Sequence, residues 1–181
     1  LALMHRATSK TFGWDRDNTV GSTPQPNPPG QDWVSFWRDQ RLGFQLRLAA
    51  EQGAPAILVD RGHRLLESLP DFFRSYQPAP SLLHGDLWGG NWAADSDGNP
   101  VIFDPAVYYG DREADLAMTE LFGGFSDRFY QSYRYCWDID PGYATRKVLY
   151  NLYHVLNHYN LFGGGYARQA QDMIDELLAN L

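Results

Sequence analysis

Basic charge is scarce in this sequence. Lys10 and Lys147 are its only lysines, and fifteen basic residues against twenty-two acidic ones leave a formal net charge of −7. A general nucleic-acid binder needs a basic face to displace phosphate counterions, so that class is excluded. Cysteine is scarcer still: Cys136 stands alone, which excludes an internal disulfide. Within Tyr135-Cys136-Trp137 its expected state is a small buried apolar residue rather than a reactive thiol. Long apolar runs are missing too. No stretch of roughly eighteen apolar residues suggests a membrane span, and no basic segment leads into an apolar core as in a signal peptide. The expectation is a soluble, cytoplasmic protein without repeats or low-complexity tracts.

What is present is ample core material. Apolar residues make up 44% and aromatics 15% of 181 residues, enough to offset chain entropy in one domain. Leu1-Ala2-Leu3-Met4-His5-Arg6 reads as the end of an amphipathic helix already under way, which suggests that part of the protein lies upstream. Residues 12–30 close with five glycines or prolines in seven positions and read as a long loop, a feature that is usually functional or mobile. A helix is expected from Asp32, burying Trp33, Phe36, Trp37, Phe44 and Leu48, with a slip in spacing near Gly43. A second should cover Ala56 to Leu69, where Pro70 ends it or restarts a short turn. Ser81-Leu82-Leu83-His84 reads as a strand. Asn91 to Ala94 and Val101 to Asp104 read as hairpin arms around the turn Asp95-Ser96-Asp97-Gly98-Asn99. Helices then follow near 112–122, 126–135, 142–161 and 166–179, the third burying Leu149, Leu152, Tyr153, Leu156 and Tyr159 on one face. The expected class is α+β, mostly helical, with a small central hairpin.

The segment that carries chemistry is His84-Gly85-Asp86-Leu87-Trp88-Gly89-Gly90-Asn91, with Asp104 thirteen residues further on at a strand end. Phosphoryl transfer needs a carboxylate to orient the attacking hydroxyl and accept its proton, and oxygen ligands for Mg²⁺ bridging the nucleotide phosphates. Asp86, Asn91 and Asp104 are the right types. A loop of the form His-x-Asp-x-x-x-x-Asn, followed by a hairpin ending in Asp, is the kinase arrangement, and the hairpin brings both metal ligands to one end. Pro105-Ala106 stand where a protein kinase carries Phe-Gly, and no Arg precedes Asp86. Those departures resemble the aminoglycoside-phosphotransferase and choline-kinase branch of the fold. The plainer reading is that both aspartates merely punctuate turns.

His84 to Trp92 resembles the signature of the fructosamine kinase, or ketosamine kinase, family. Phe12 to Gln25 is similar to the family's loop, Asp111-Arg112-Glu113-Ala114-Asp115-Leu116-Ala117-Met118 to its following helix, and Asn157 to Tyr166 to its C-terminal motif. The resemblance implies ATP- and Mg²⁺-dependent phosphorylation of a sugar hydroxyl, typically O3, on fructosamines or ribulosamines. Such substrates are small or protein-attached, and the product breaks down to free the amine. By matching motif, Asp86 is the base, Asn91 and Asp104 the Mg²⁺ ligands, and Trp88 a wall of the sugar site. Asp115 anchors the catalytic loop, with His84 as structural support. An indole face suits the C–H face of a sugar, although Trp88 could equally be core. Asp17 and Asn18 either bind sugar hydroxyls or cap a turn, with binding preferred because the loop is long.

Other signals carry less. His154 and His158 stand four apart on a predicted helix but lack the intervening Glu of a zinc-protease helix and a third ligand, so no metal is assigned there; His158, within the C-terminal motif, is assigned to the substrate instead. Gly163-Gly164-Gly165 is a helix stop. Asp111, Glu113 and Asp115 suit a helix dipole better than catalysis, although an acidic pocket near 15–17 and 111–115 would favour cationic substrates. A glycine-rich loop and a strand lysine for the phosphates are not found. The chain is therefore expected to be the C-terminal lobe of a kinase-like fold, without its nucleotide-binding lobe and inactive alone. Two alternatives stand beside the ketosamine kinase: another small-molecule kinase, of aminoglycoside or choline type, and a non-catalytic binding module of the same fold. No oligomeric state is read.

Overall fold

A buried aromatic helix organises the molecule. In the computed structural model, which describes residues 1–181, helix α7 (Tyr143–Phe162) is buried on every side from Leu149 to Asn157. The sequence pattern predicts one apolar face, but the helix instead runs through the middle of the fold. Its polar members find partners there. Tyr150 donates to Asp111 at 2.5 Å and Tyr153 to Gln25 at 2.9 Å, as buried hydroxyls must. The helix stops at Gly163, whose φ of 65° an L side chain tolerates poorly, and α8 (Tyr166–Ala179) folds back along it.

On one side α7 packs against a long helix in three parts: α2 (Trp33–Phe36), a π-helical segment (Trp37–Leu42) and α3 (Gly43–Glu51). Asp32 caps its start by accepting the Ser35 N–H at 2.7 Å. The slip expected near Gly43 is this π segment, which inserts one residue and rotates the buried face. Leu42, Leu46 and Ala49 are therefore buried in place of Phe44 and Leu48. Trp33 and Trp37 meet Tyr150, the former through a 3.1 Å hydrogen bond and the latter edge-on. Helix α4 (Ala56–Ser68) ends in a 3-10 turn (Leu69–Phe73) that carries Pro70 at its start.

Three small antiparallel sheets sit around this helical body. The segment expected to be a plain loop contains a hairpin, β1 (Asn18–Val20) with β2 (Thr23–Gln25). It is pinned by the buried Arg41, which donates to the Pro26 carbonyl and to Asn27 Oδ1, both at 2.6 Å. Strand β3 (Ser81–Leu83) pairs with β6 (Tyr108–Gly110). Between them lies the hairpin of β4 (Trp92–Ala94) and β5 (Pro100–Ile102), within the arms expected. Its turn is held by Asp95, which accepts the Asp97 and Asn99 N–H groups at 2.9 and 2.8 Å. Strand β6 leads into α5 (Arg112–Leu121), followed by α6 (Asp127–Cys136), and the short α1 (Ala2–His5) lies beside β3. Cys136, the last residue of α6, is exposed, contrary to expectation. No helix is long and apolar enough to cross a membrane.

Candidate active site

The loop from β3 to β4 carries Asp86, and its shape is set from below by one buried carboxylate. Asp115, in the first turn of α5, accepts the backbone N–H groups of His84 and Gly85, both at 2.8 Å. His5 of α1 completes its shell at 3.1 Å through Nε2. Burial opposes ionisation of Asp115, but the His5 contact and the two backbone donors outweigh it and hold the carboxyl below its usual range. Gly85 has a φ of 83°, and a Cβ there would overlap the Ala106 carbonyl, so only glycine makes the turn.

His84 then ties the loop to the hairpin. Its Nδ1 accepts the Asp86 N–H at 3.3 Å, which leaves the proton on Nε2 to be donated to the Phe103 carbonyl at 2.9 Å. Asn91 is buried and donates through Nδ2 to the Asp86 carbonyl at 2.9 Å, with Asp86 Oδ2 at 3.4 Å. The same nitrogen lies 3.5 Å from the Asp104 carbonyl. Asp104 itself is exposed and holds a φ of 56°, the one non-glycine residue with a positive φ. Backbone of that kind is sparsely populated and collects at functional sites. Asp86, Asn91 and Asp104 are thus brought together at the open end of one hairpin.

Asp86 opens into a cavity of 340 Å³ lined by Val20, Gly21, Trp88, Met118, Phe122, His154, Asn157, His158, Leu161 and Phe162. Desolvation raises its pKa; His84 and His158 oppose the rise, Asp104 and Asp115 add to it, and the net shift is upward. Trp88 is 41% exposed, so the core alternative for it does not hold. Its ring lies over Gly90, where a Cβ would strike the indole. His158 lines the same cavity. Its neighbour His154 is buried, and burial together with His158 pushes its pKa down to about 3.

Asp17 and Asn18 are not brought to this cavity. Asp17 accepts the Asn27 N–H at 2.7 Å, and Asn18 donates to the Val107 carbonyl while accepting from Gln25 and Asn27. Asp17 thus bonds within its own loop, while Asn18 bonds both within it and to the segment before β6. The expected acidic pocket also dissolves. Asp111, Glu113 and Asp115 are all buried: Asp111 takes hydrogen bonds from Tyr76 and Tyr150, and Glu113 is clasped by Arg146 at 2.7 and 3.1 Å. Asp111 does cap α5, accepting the Glu113 N–H at 3.0 Å, so a helix-terminus role is part of the account but not the whole. Sequence reasoning missed His5, Phe122, Phe162 and Asn157 as parts of the site. His5 touches a residue 110 positions away, and no local spacing announces such a pairing.

An oxygen-rich set of one carboxylate and one amide, with the Asn91 nitrogen already engaged and its Oδ1 left as an acceptor, fits a hard divalent cation such as Mg²⁺. Comparison with known proteins identifies the family. The family model for fructosamine kinase matches residues 1–180. A probable ketoamine kinase of Synechocystis is 53% identical over 98% of this chain and 60% of its own length. A chloroplastic protein-ribulosamine 3-kinase of Arabidopsis thaliana is 48% identical over all of this chain and 56% of its own. A crystal structure described as a fructosamine-3-kinase of Thermobifida fusca superposes with a TM-score of 0.91 at 36% identity, covering 98% of this chain and 62% of that one. The chain therefore spans about three-fifths of the length of the curated relatives it matches.

Proposed function

The chain belongs to the fructosamine kinase family, and from that premise we propose that the protein carrying it transfers the γ-phosphoryl group of ATP to a sugar hydroxyl, O3, of fructosamines or ribulosamines. The observation that carries the reading is the convergence of Asp86, Asn91 and Asp104 beside a cavity walled by Trp88 and His158. Asp86 orients the acceptor hydroxyl and takes its proton. Asn91 and Asp104 hold Mg²⁺, which when bound neutralises charge on the β- and γ-phosphates. Trp88 offers its indole face to the C–H face of the sugar, and His158 meets a hydroxyl. His84 and Asp115 keep the base in place through the backbone.

On this reading residues 1–181 are the catalytic and substrate lobe, working with a separate nucleotide-binding lobe in the full-length cytoplasmic protein. The repaired adduct is a small amine or a protein side chain, and removal of the phosphorylated sugar returns the free amine. The reading is tested by ADP release from the full-length protein with Mg²⁺ and ATP. Ribulosamine, fructosamine, aminoglycoside and choline acceptors are compared, with Asp86→Ala as the control. Turnover confined to ketosamines, reduced about 10²–10⁴-fold in the variant, is the expected result. Turnover on other alcohols discards the substrate, and silence throughout discards the enzyme.

A further inference from the structure

The cavity above Asp86 has a floor and a mouth of different chemistry. Met118, His154 and Asn157 are almost fully buried and form the floor beside Asp86. Trp88, Phe122 and Phe162 form the mouth and are 41%, 44% and 69% exposed. Three large rings are left in water around one opening, and a contiguous apolar patch of that kind marks a binding site. They are grouped around an imidazole: Phe122 and Phe162 lie 5.0 and 5.7 Å from His158, and Trp88 meets Phe122 edge-on at 6.5 Å. His158 Nδ1 donates to the His154 carbonyl at 2.8 Å, which fixes the ring between the two phenylalanines. Asp86 is the sole carboxylate among the lining residues. A cation entering the mouth therefore meets aromatic rings before it meets any carboxylate.

We propose that Phe122 and Phe162, flanking His158 at the mouth beyond the sugar wall of Trp88, form a subsite for the secondary ammonium of the substrate and the first carbons beyond it. This rests on the ketosamine reading. In such an adduct the nitrogen is carried two carbons along from the carbon whose hydroxyl must reach Asp86, so it projects from the floor toward the mouth. Aromatic faces attract a desolvated ammonium through their quadrupoles without adding a carboxylate that would compete for Mg²⁺. Phe122 is held in place by the Gly123-Gly124 turn, which packs against Gly89 of the catalytic loop.

The experiment compares two acceptors on the full-length protein with Mg²⁺ and ATP: a 1-alkylamino-1-deoxyketose and its neutral oxygen isostere, the 1-O-alkyl ketose. Phe122→Leu and Phe162→Leu should each lower kcat/KM for the amine by about 2- to 30-fold more than for the ether, through KM rather than kcat. Phe122→Tyr, which keeps the ring, should keep the preference. Equal losses on both acceptors would reduce the rings to an apolar wall and overturn the proposal, as would an ether used as well as the amine by the unaltered protein. If the unaltered protein phosphorylates neither, the ketosamine reading itself falls and takes this one with it, an outcome separable from the other two because they require turnover.

Discussion

Asp115 touches no substrate, yet its removal is predicted to be among the most damaging single changes. Its carboxylate is 1% exposed and accepts three hydrogen bonds, from the His84 and Gly85 N–H groups and from His5 Nε2. Asp115→Ala strands all three donors away from water. Each buried donor left without its acceptor costs about 1–3 kcal/mol, and three are left at once. These overlap rather than add, so a loss of about 3–5 kcal/mol is expected against a total stability of about 5–15 kcal/mol. Asp115→Asn should recover only part, since its amide can accept one N–H but turns a donor toward another. The assay is urea unfolding of the full-length protein, read as a midpoint shift at constant m. The pH dependence gives a second handle. The folded pKa of Asp115 lies below its unfolded value, so its contribution is fully present above the unfolded value and is lost as pH falls through the folded one. The gap between wild type and Asp115→Ala should therefore narrow below about pH 4. A loss under about 1 kcal/mol at neutral pH would refute the argument, because buried donors would then have found other partners.

Asp104→Gly separates strain from function. Glycine relieves the φ of 56° but adds unfolded-state entropy, two terms of about 1 kcal/mol and opposite sign. Stability by urea unfolding should stay within about 1 kcal/mol of wild type while phosphoryl transfer is lost; a large destabilisation would mean that the Asp104 side chain supports the fold. The proposed base, Asp86, can accept a proton only when ionised, and desolvation raises its pKa. The acid limb of kcat/KM should accordingly fall at a pH above the ordinary carboxylate value of 3.8, activity dropping as pH falls through it. A limb at or below that value would show that Asp86 is solvated in the working enzyme.

Local chemistry was legible in the sequence wherever neighbours in the chain are also neighbours in space. The hairpin between Asn91 and Asp104, the cap at Asp32 and the stop at Gly163 all follow from turn and cap preferences acting over a few residues. Burial was harder to read, because it depends on what packs from afar. Leu149 and Asn151 are both interior, and no periodicity marks a helix enclosed on every side. One added residue in the π segment exchanged Phe44 and Leu48 for Leu46 and Ala49 in the core, although the irregular spacing did signal a fault there. Polar residues misled most. Asp111 and Glu113 carry the composition of a cation-binding surface, yet each has its partners inside the protein. Asp86 differs from them in a way that only the assembled fold reveals. The groups that could satisfy Asp111 and Glu113 close over them, whereas around Asp86 the same packing stops short and leaves a cavity. A carboxylate half desolvated and still reachable has its affinity for a proton raised without losing access to one, a combination that the proposed role of base requires and that a brace does not.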